Sequence, residues 1–256
     1  MQVRILGCSG GIGAGLRTTS ILVDDDVLID CGTGVGDLTL AEMQRIRHVF
    51  LTHSHLDHVA YLPFLVDTVF PTLVREPLTL HLLVDTLDAL REHVFNWRIW
   101  PDFFQLPDER HPVLQAHVVR HGQDIVLDGR SFEVIAVSHT VPAVGYRVEA
   151  PSGRAFAFSG DTQVTDDFWR VLNAHPSLDA LIMECAFPDR EADLSALAGH
   201  HCPASLSRDL LKLRHRPALY ISHLMPGEEV QIMSELYERL GALEPRPLQR
   251  GEIFQL

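Results

Sequence analysis

The chain has 256 residues, of which 46% are apolar and 21% are charged, so a single domain over residues 1–256 can bury a large core. Its formal net charge of −13, with Lys212 as the only lysine, argues against sequence-independent binding of nucleic acid. No apolar run is long enough to cross a bilayer, no signal-peptide pattern opens the chain, and the four cysteines form no CxxC pair. We therefore expect a cytoplasmic protein with reduced thiols and no membrane partner.

Apolar, β-branched runs alternate with amphipathic segments along the chain, which predicts an α/β fold. The predicted strands cover residues 2–6, 20–30, 48–52, 79–84, 115–119, 132–137, 145–149, 155–159, 179–184 and 218–222. The predicted helices cover residues 33–46, 57–70, 86–96, 165–174, 203–214 and 228–240. Two packed sheets with helices on their outer faces would bring the strand ends of both sheets to one edge.

A glycine-rich stretch, Gly7–Gly15, follows the first predicted strand. It resembles a phosphate-binding loop, but it lacks the Gly-Lys-Ser/Thr ending and the βαβ context of one. We therefore expect a flexible loop that lies beside the functional edge of the sheets.

The most informative segment is Thr52–His58, with the sequence THSHLDH, which places three histidines and one carboxylate directly after an apolar strand. The imidazoles of His53 and His55 can reach one cation, and Asp57 and His58 can reach a second cation nearby. A solvated, histidine-rich loop is the alternative. Four such residues in this register favour a metal site.

Four more polar residues stand where predicted strands end: Asp30, His139, Asp161 and His223. In α/β proteins such positions commonly carry the chemistry, although a lone polar residue there is more often a cap or a turn former. Two divalent ions need about seven or eight ligand contacts, and the THSHLDH motif offers four. The added residues complete that number if one carboxylate bridges the two ions.

Together, the THSHLDH motif, Asp30, His139, the Ser159–Thr162 segment and His223 resemble the five ordered motifs of the metallo-β-lactamase superfamily. The resemblance runs over nearly the whole chain and implies a four-layer αββα sandwich and a metal-dependent hydrolase. The Ser-Gly-Asp-Thr setting of Asp161 is similar to the phosphodiesterase branch, in which this carboxylate bridges both metals.

Further segments resemble the class II 3′,5′-cyclic-nucleotide phosphodiesterases, namely Leu6–Gly11, His93–Asn96 with Ile99–Pro101, His139–Tyr146, Glu184–Phe187, Gly199–Pro203 and Ile221–Pro226. The resemblance implies a small phosphodiester substrate, with cyclic AMP as the first candidate, that is hydrolysed to the nucleoside monophosphate. A hydroxide held between the two ions would be the nucleophile. A homodimer is also expected.

The resemblance and the ligand chemistry together assign roles to individual residues. His53, His55 and His139 would hold the first metal, Asp57, His58 and His223 the second, and Asp161 both. Zn²⁺ suits this set, and Mn²⁺ and Fe²⁺ are compatible with it. The catalytic residues would be Asp57, His200 and Glu184, with His200 as the proton donor to the leaving oxygen, Glu184 as its orienting partner and His201 as the alternative donor. Asp30 is expected to hold a metal-binding histidine or the motif loop.

The main rival within the superfamily is a ribonuclease Z-like activity on RNA 3′ ends. That enzyme shares Gly145-Tyr146-Arg147 and a histidine similar to His200, but it normally carries a tRNA-binding arm between its third and fourth motifs. Only 22 positions separate His139 from Asp161, which is enough for a hairpin and not for an arm. Hydrolysis of another phosphodiester, a thioester or a lactone stays open, and a non-enzymatic binder would have no chemical reason to retain seven ligands.

The segment Phe95–Phe104 holds five aromatic residues in ten positions. These rings can pack in the core or in a dimer contact. Alternatively, Trp97 or Trp100 can project from a loop and stack on the base of a nucleotide, because Pro101 disfavours a continued helix.

Overall fold

A computed structural model describes residues 1–256. Two seven-stranded sheets pack face to face with helices outside them, so the predicted αββα architecture is confirmed. The first sheet runs in the order β14 (Ile253–Gln255), β1 (Gln2–Gly7), β2 (Ser20–Val23), β3 (Val27–Ile29), β4 (His48–Phe50), β5 (Leu78–Leu82) and β6 (Leu114–Val118). The second sheet runs in the order β13 (Arg246–Pro247), β12 (Ala218–Ser222), β11 (Ala180–Glu184), β10 (Ala155–Phe158), β9 (Val144–Glu149), β8 (Arg130–Ala136) and β7 (Asp124–Leu127).

Period-two alternation along the strands produces three apolar layers. In β11, Ile182 faces the layer between the two sheets, whereas Leu181 and Met183 face the outer helices. Across the middle layer, Phe50 of β4 stacks on Phe132 of β8, with ring centroids 4.4 Å apart. The core therefore consists of one layer between the sheets and one layer under the helices on each side.

Most helices are shorter than predicted, and one predicted helix is divided at a proline. They are α1 (Leu40–Met43), α2 (Leu56–Val59), α3 (Leu62–Thr68), α4 (Phe70–Leu73), α5 (Val84–His93), α6 (Asp167–Leu172), α7 (Ala192–Ala198), α8 (Pro203–Asp209) and α9 (Glu229–Leu240). Within the predicted helix 57–70, Pro63 has no backbone N–H to continue the hydrogen bonds of α2, and it fits only in the first turn of α3. The predicted helix 33–46 is a 3-10 helix, Thr33–Asp37, followed by α1.

Four elements, β7, β13, β14 and α7, lie outside the predicted set. β7 pairs with β8 through the Asp128-Gly129 turn, in which both residues have positive φ angles, 48° and 81°. This dipeptide favours such a two-residue hairpin turn. β13 and β14 are edge strands of 2 and 3 residues, too short for an alternating pattern. The hairpin predicted between His139 and Asp161 is present as β9 and β10.

The cysteines and the helices are the subject of two further expectations. All four cysteines are free thiols. Burial raises the pKa of Cys8 to about 12, so this thiol stays protonated at neutral pH. None of the helices combines the length and the apolar character that a membrane span requires.

Parallel strand pairs bring the predicted site residues to one edge. In the first sheet β3 and β4 are parallel, and in the second sheet β10, β11 and β12 are parallel. Asp30 follows β3, the THSHLDH motif follows β4, Asp161 follows β10 and His223 follows β12. Because the carboxyl ends of parallel strands meet at the same edge, these side chains converge between the two sheets.

Candidate metal centre

The THSHLDH motif forms a turn whose first residue, Thr52, is held by hydrogen bonds to Asp30. The backbone N–H of Thr52 donates to Asp30 Oδ1 at 2.8 Å, and its hydroxyl donates to Asp30 Oδ2 at 2.8 Å. His55 is the N-cap of α2, so Asp57 lies in the first helical turn. His53 and His55 therefore lie before the helix, whereas Asp57 and His58 lie within it.

Seven predicted ligands fall into two groups that share one carboxylate. Within each group, the candidate ligand atoms all lie within 4.8 Å of one another. The first group is His53, His55, His139 and Asp161, and the second is Asp57, His58, Asp161 and His223. The structure thus brings together all seven residues predicted to hold metal, in the predicted division.

The carboxylate of Asp161 reaches both groups through its two oxygens. Asp161 Oδ2 lies 3.7 Å from His53 Nε2 and 3.2 Å from His58 Nε2, and Asp161 Oδ1 lies 3.3 Å from His223 Nδ1. In the first group, His55 Nδ1 and His139 Nε2 are 3.1 Å apart. A carboxylate between two imidazole clusters is the arrangement that a bridging ligand requires.

Unpaired buried nitrogens show that this donor set fits metal ions. His53 Nε2, His58 Nε2 and His223 Nδ1 are buried and have no hydrogen-bond partner. Leaving one buried polar atom unpaired costs about 1–3 kcal/mol, and these three atoms face the same space. Divalent cations would satisfy all three, and a set of imidazoles and carboxylates without thiolate suits Zn²⁺, Mn²⁺ or Fe²⁺.

Partners outside the two groups fix the orientation of the ligands. His58 Nδ1 donates to Asp30 Oδ2 at 2.7 Å, which turns His58 Nε2 toward Asp161. His139 Nδ1 donates to the carbonyl of Gly199 at 2.9 Å, which turns His139 Nε2 toward His55. Asp30 therefore holds a histidine of the second group, as predicted for it.

The backbone is strained at two of these positions. Asp30 and His223 adopt left-handed conformations, with φ angles of 59° and 61°. Such conformations cost non-glycine residues on the order of 1–3 kcal/mol and cluster at functional sites. Gly199 is also left-handed, and an added Cβ there would lie only 2.9 Å from His139 Nδ1. The sequence offered one signal for this contact, a glycine directly before His200.

Burial and charge set the protonation of the ligands. Burial lowers the pKa of His53, His55 and His139, which favours the neutral imidazole that binds metal. Burial alone would raise the pKa of Asp161, but the nearby His223 and His58 outweigh it and hold this pKa well below its ordinary value. For His58, burial is outweighed by Asp161 and Asp30, so its pKa is raised. The same two carboxylates would attract a cation.

A histidine and glutamate pair lies beside the ligands. His200 Nδ1 is 3.1 Å from Glu184 Oε1, and the His200 ring lies 5.1 Å from the ring of His223 and 5.0 Å from that of His139. Burial lowers the pKa of His200, but the charge of Glu184 outweighs it and raises the pKa to about 9. The structure therefore supports the predicted pairing of these two residues.

His201 faces away from the ligands. Its side chain is fully buried, Nδ1 is 3.0 Å from Ser205 Oγ, and Nε2 is 3.8 Å from Asp209 Oδ2. Its backbone N–H donates to Glu184 Oε1 at 3.1 Å. Of the two predicted proton donors, geometry favours His200.

The aromatic segment is mainly structural. Phe95 and Phe103 are buried in the layer under the helices of the first sheet, and the Trp100 ring packs on Phe64 at 5.0 Å. Trp97 alone of the two predicted tryptophans is largely exposed, at 59%. The packing alternative therefore holds for the two phenylalanines, and the stacking hypothesis rests on Trp97.

The chain is similar to known proteins in sequence. The family described as "Beta-lactamase superfamily domain" matches residues 25–240. A probable 3′,5′-cyclic-nucleotide phosphodiesterase of Yersinia pestis is 29% identical, over 93% of this chain and 83% of that protein. A ribonuclease Z of Haloarcula marismortui is 25% identical, over 88% and 86% of the two chains.

Solved structures show the same fold. Unliganded yeast PDE1 superimposes with a TM-score of 0.79 at 18% identity, over 100% of this chain and 99% of that one. The relatives are hydrolases, as predicted for this chain. The family match over most of the sequence establishes that the chain belongs to the beta-lactamase superfamily.

Proposed function

We propose that the chain is a metal-dependent phosphodiesterase that hydrolyses a 3′,5′-cyclic nucleotide, with cyclic AMP as the first candidate, to the nucleoside monophosphate. The observation that carries the proposal is the position of Asp161, whose carboxylate belongs to both ligand groups, with Oδ2 3.7 Å from His53 Nε2 and 3.2 Å from His58 Nε2. The relative from Yersinia pestis, described as a probable cyclic-nucleotide phosphodiesterase, supports the choice of substrate.

The residues of the two groups would hold two divalent ions, with Zn²⁺ as the first candidate. Bound there, the ions would supply Lewis acidity and lower the pKa of coordinated water. Asp57 would hold the second ion on the open side of the site, since its side chain is 31% exposed. The role of the seven ligands would thus be to hold the two ions beside the space that the phosphodiester enters.

His200 would donate the proton to the leaving oxygen. Glu184 accepts the hydrogen bond of His200 Nδ1, which leaves Nε2 as the nitrogen that can donate. Glu184 is itself fixed by backbone N–H groups of Thr162 and His201, both at 3.1 Å. A rigid carboxylate of this kind orients the imidazole and favours its charged form.

Two observations support a small substrate over tRNA. Only residues 150–154 connect β9 and β10, so no arm projects between His139 and Asp161. The net charge of −13 also opposes the binding of a large polyanion. The ribonuclease Z relatives make cleavage at an RNA 3′ end the second candidate.

One assay separates the two candidates. The purified protein is tested against cyclic AMP, cyclic GMP, bis(p-nitrophenyl) phosphate and pre-tRNA, with Asp161→Ala and the exposed His111→Ala as a matched pair. We expect hydrolysis of cyclic AMP that is lost in Asp161→Ala and kept in His111→Ala. Cleavage of pre-tRNA without cleavage of any cyclic nucleotide would move the function to RNA.

Three further expectations belong to this proposal. The chain would act as one domain over residues 1–256, as a homodimer, in the cytoplasm. Light scattering on the eluted protein measures the dimer, and a single unfolding transition that coincides by two probes tests the single domain. Fractionation of the native cells tests the location.

A further inference from the structure

A groove lies between the glycine-rich loop after β1 and the start of α3. Its volume is about 640 Å³, within the usual range for small-molecule sites. The side chains that matter for the argument are Ile12, Leu16, Arg17, Thr33, Asp37 and Tyr61.

Both walls of the groove are attached to ligand-bearing segments. On one side, the loop begins at Gly10, where an added Cβ would meet the carbonyl of His223 at 2.8 Å. On the other side, Tyr61 is the N-cap of α3, four residues after Asp57, and its backbone N–H donates to the carbonyl of Cys31 at 2.9 Å. Each wall is therefore joined through the backbone to a residue of the second ligand group.

The lining combines apolar surface with the ion pair of Arg17 and Asp37. Ile12 is 72% exposed and contributes apolar surface to the lining. Asp37 pairs with Arg17 at 3.3 Å and with Arg250 at 2.6 Å. Arg250 lies outside the lining, so the groove itself contains one guanidinium group and one carboxylate.

The Tyr61 ring is held by a glycine. An added Cβ at Gly36 would lie 2.6 Å from Cε1 of Tyr61, so the ring occupies the space that a side chain at residue 36 would need. The φ angle of Gly36 is outside the left-handed region, so alanine is allowed there by the backbone. Replacement of Gly36 by alanine would therefore act mainly by displacing the ring.

We propose that this groove takes the nucleoside part of the substrate, with the Tyr61 ring as the surface on which the base stacks. The inference rests on the proposed hydrolysis of a cyclic nucleotide and names the part of the molecule that binds the base. An aromatic face stacks on any base, and the Arg17 guanidinium supplies N–H donors for the oxygen and nitrogen acceptors of the nucleoside. Tyr61 is thus a specificity-determining residue that lies outside the ligand set.

The test compares four single variants, and the double variant of Gly36→Ala with Tyr61→Leu, by two measurements. Tyr61→Phe keeps the ring, Tyr61→Leu removes it, Gly36→Ala displaces it, and Phe64→Leu removes an exposed ring three residues further along the same helix. The measurements are the affinity of the metal-loaded protein for adenosine 5′-monophosphate by calorimetry, and the ratio of kcat/KM for cyclic AMP to that for bis(p-nitrophenyl) phosphate. Metal content is measured for every variant.

We expect Tyr61→Leu to weaken the binding of adenosine 5′-monophosphate by roughly 5- to 100-fold and to lower the activity ratio by a similar factor. For Tyr61→Phe and Phe64→Leu, both measurements should stay within about 2-fold of wild type, because both variants keep an aromatic ring at residue 61. Gly36→Ala should act in the same direction as Tyr61→Leu and add little in the double variant, because both changes act on one ring.

The outcomes separate this inference from the proposed function. If cyclic AMP is hydrolysed and Tyr61→Leu changes neither measurement, the function stands and the groove assignment is wrong. If cyclic AMP is not hydrolysed but nucleotide binding depends on Tyr61, the groove assignment stands and the function is wrong. If wild type does not bind the nucleotide at millimolar concentration, the groove assignment is overturned as well.

Discussion

Two clusters of histidines in this protein have the same distance between neighbouring ring nitrogens but differ in chemistry. At the metal edge, His55 Nδ1 and His139 Nε2 are 3.1 Å apart. On the neighbouring strands β4, β5 and β6, His48 Nδ1 and His81 Nε2 are also 3.1 Å apart, and the His117 ring lies 5.0 Å from that of His81. Close imidazoles alone therefore do not identify a metal site.

Carboxylates and position distinguish the two clusters. Asp161 lies within the first cluster and Asp30 directly behind it, and both follow parallel strands at the functional edge. The second cluster lies within strands, and His81 stacks on Phe50 at 4.1 Å with the rings nearly parallel. Burial lowers the pKa of His81 to about 3, so this ring is a neutral core residue.

The largest effect on activity is expected for His200, whose ring lies beside His139 and His223 of the metal edge. His200→Ala should keep metal content near wild type, while kcat on cyclic AMP falls by roughly 10²–10⁴-fold, the usual contribution of a positioned acid. Steady-state kinetics on alkyl and p-nitrophenyl leaving groups measure this, and the loss should be smaller for p-nitrophenyl. An equal loss on both leaving groups would point to a positioning role.

The next largest effect, on metal affinity, is expected for Asp30, which holds His58 of the metal edge. Asp30→Ala should weaken metal affinity by roughly 10–100-fold, because His58 loses the partner that orients it. Titration of the metal-depleted protein with Zn²⁺ and a competing chelator measures the affinity. Glu133→Gln, which changes the partner of His175 instead, is the matched control and should bind Zn²⁺ like wild type.

The second cluster should affect stability and its pH dependence. The folded pKa of His81 lies below its unfolded value, so its contribution is complete above about pH 6.5 and is lost as the pH falls toward 3. At pH 4.5 this loss amounts to roughly 2–3 kcal/mol in the free energy of unfolding. The groups that face His81 are His48 and His117.

Denaturant unfolding at pH 7.5 and pH 4.5 tests this point. His81→Phe should reduce the difference in unfolding free energy between the two pH values, because phenylalanine needs no proton and can stack on Phe50. The exposed His111→Ala should keep the wild-type difference. If His81→Phe loses as much stability as wild type between the two pH values, His81 is not a neutral core histidine.

The smallest effect is expected for Trp97. This residue has a φ angle of 63° and is largely exposed, so its strained backbone is not offset by burial. Trp97→Ala should raise KM for cyclic AMP by roughly 2- to 5-fold if its ring stacks on part of the substrate. Kinetics with bis(p-nitrophenyl) phosphate provide the comparison. Unchanged cyclic-nucleotide kinetics would make the exposed ring unrelated to substrate choice.

The ligand groups could be predicted from the sequence because their signals are local. The THSHLDH motif is dense, and Asp30, Asp161 and His223 each follow an apolar run that is a strand in the structure. The groove could not be predicted in this way. It depends on Gly36 meeting the ring of Tyr61, a contact between segments that only the packed fold brings together.

Some elements of the fold were not predicted from the sequence, for identifiable reasons. The hairpin of β7 and β8 did carry a local signal, the Asp128-Gly129 dipeptide, which was outweighed by the short and partly polar run before it. β14 joins β1 from the far end of the chain, and three residues contain no period to detect. The helical region after the THSHLDH motif is divided near Pro63, because proline fits only in the first turn of a helix. The amphipathic pattern continues across this position and does not indicate the break.

Metal stoichiometry tests the central claim most directly. Elemental analysis of the wild-type protein should find two transition-metal ions per chain, and His117→Ala, in the second histidine cluster, should retain both. Asp161→Ala should lower the occupancy of both sites because its carboxylate faces both groups, whereas His223→Ala should mainly empty the second site. A single tightly bound ion per chain in fully active wild-type protein would contradict the two-metal assignment.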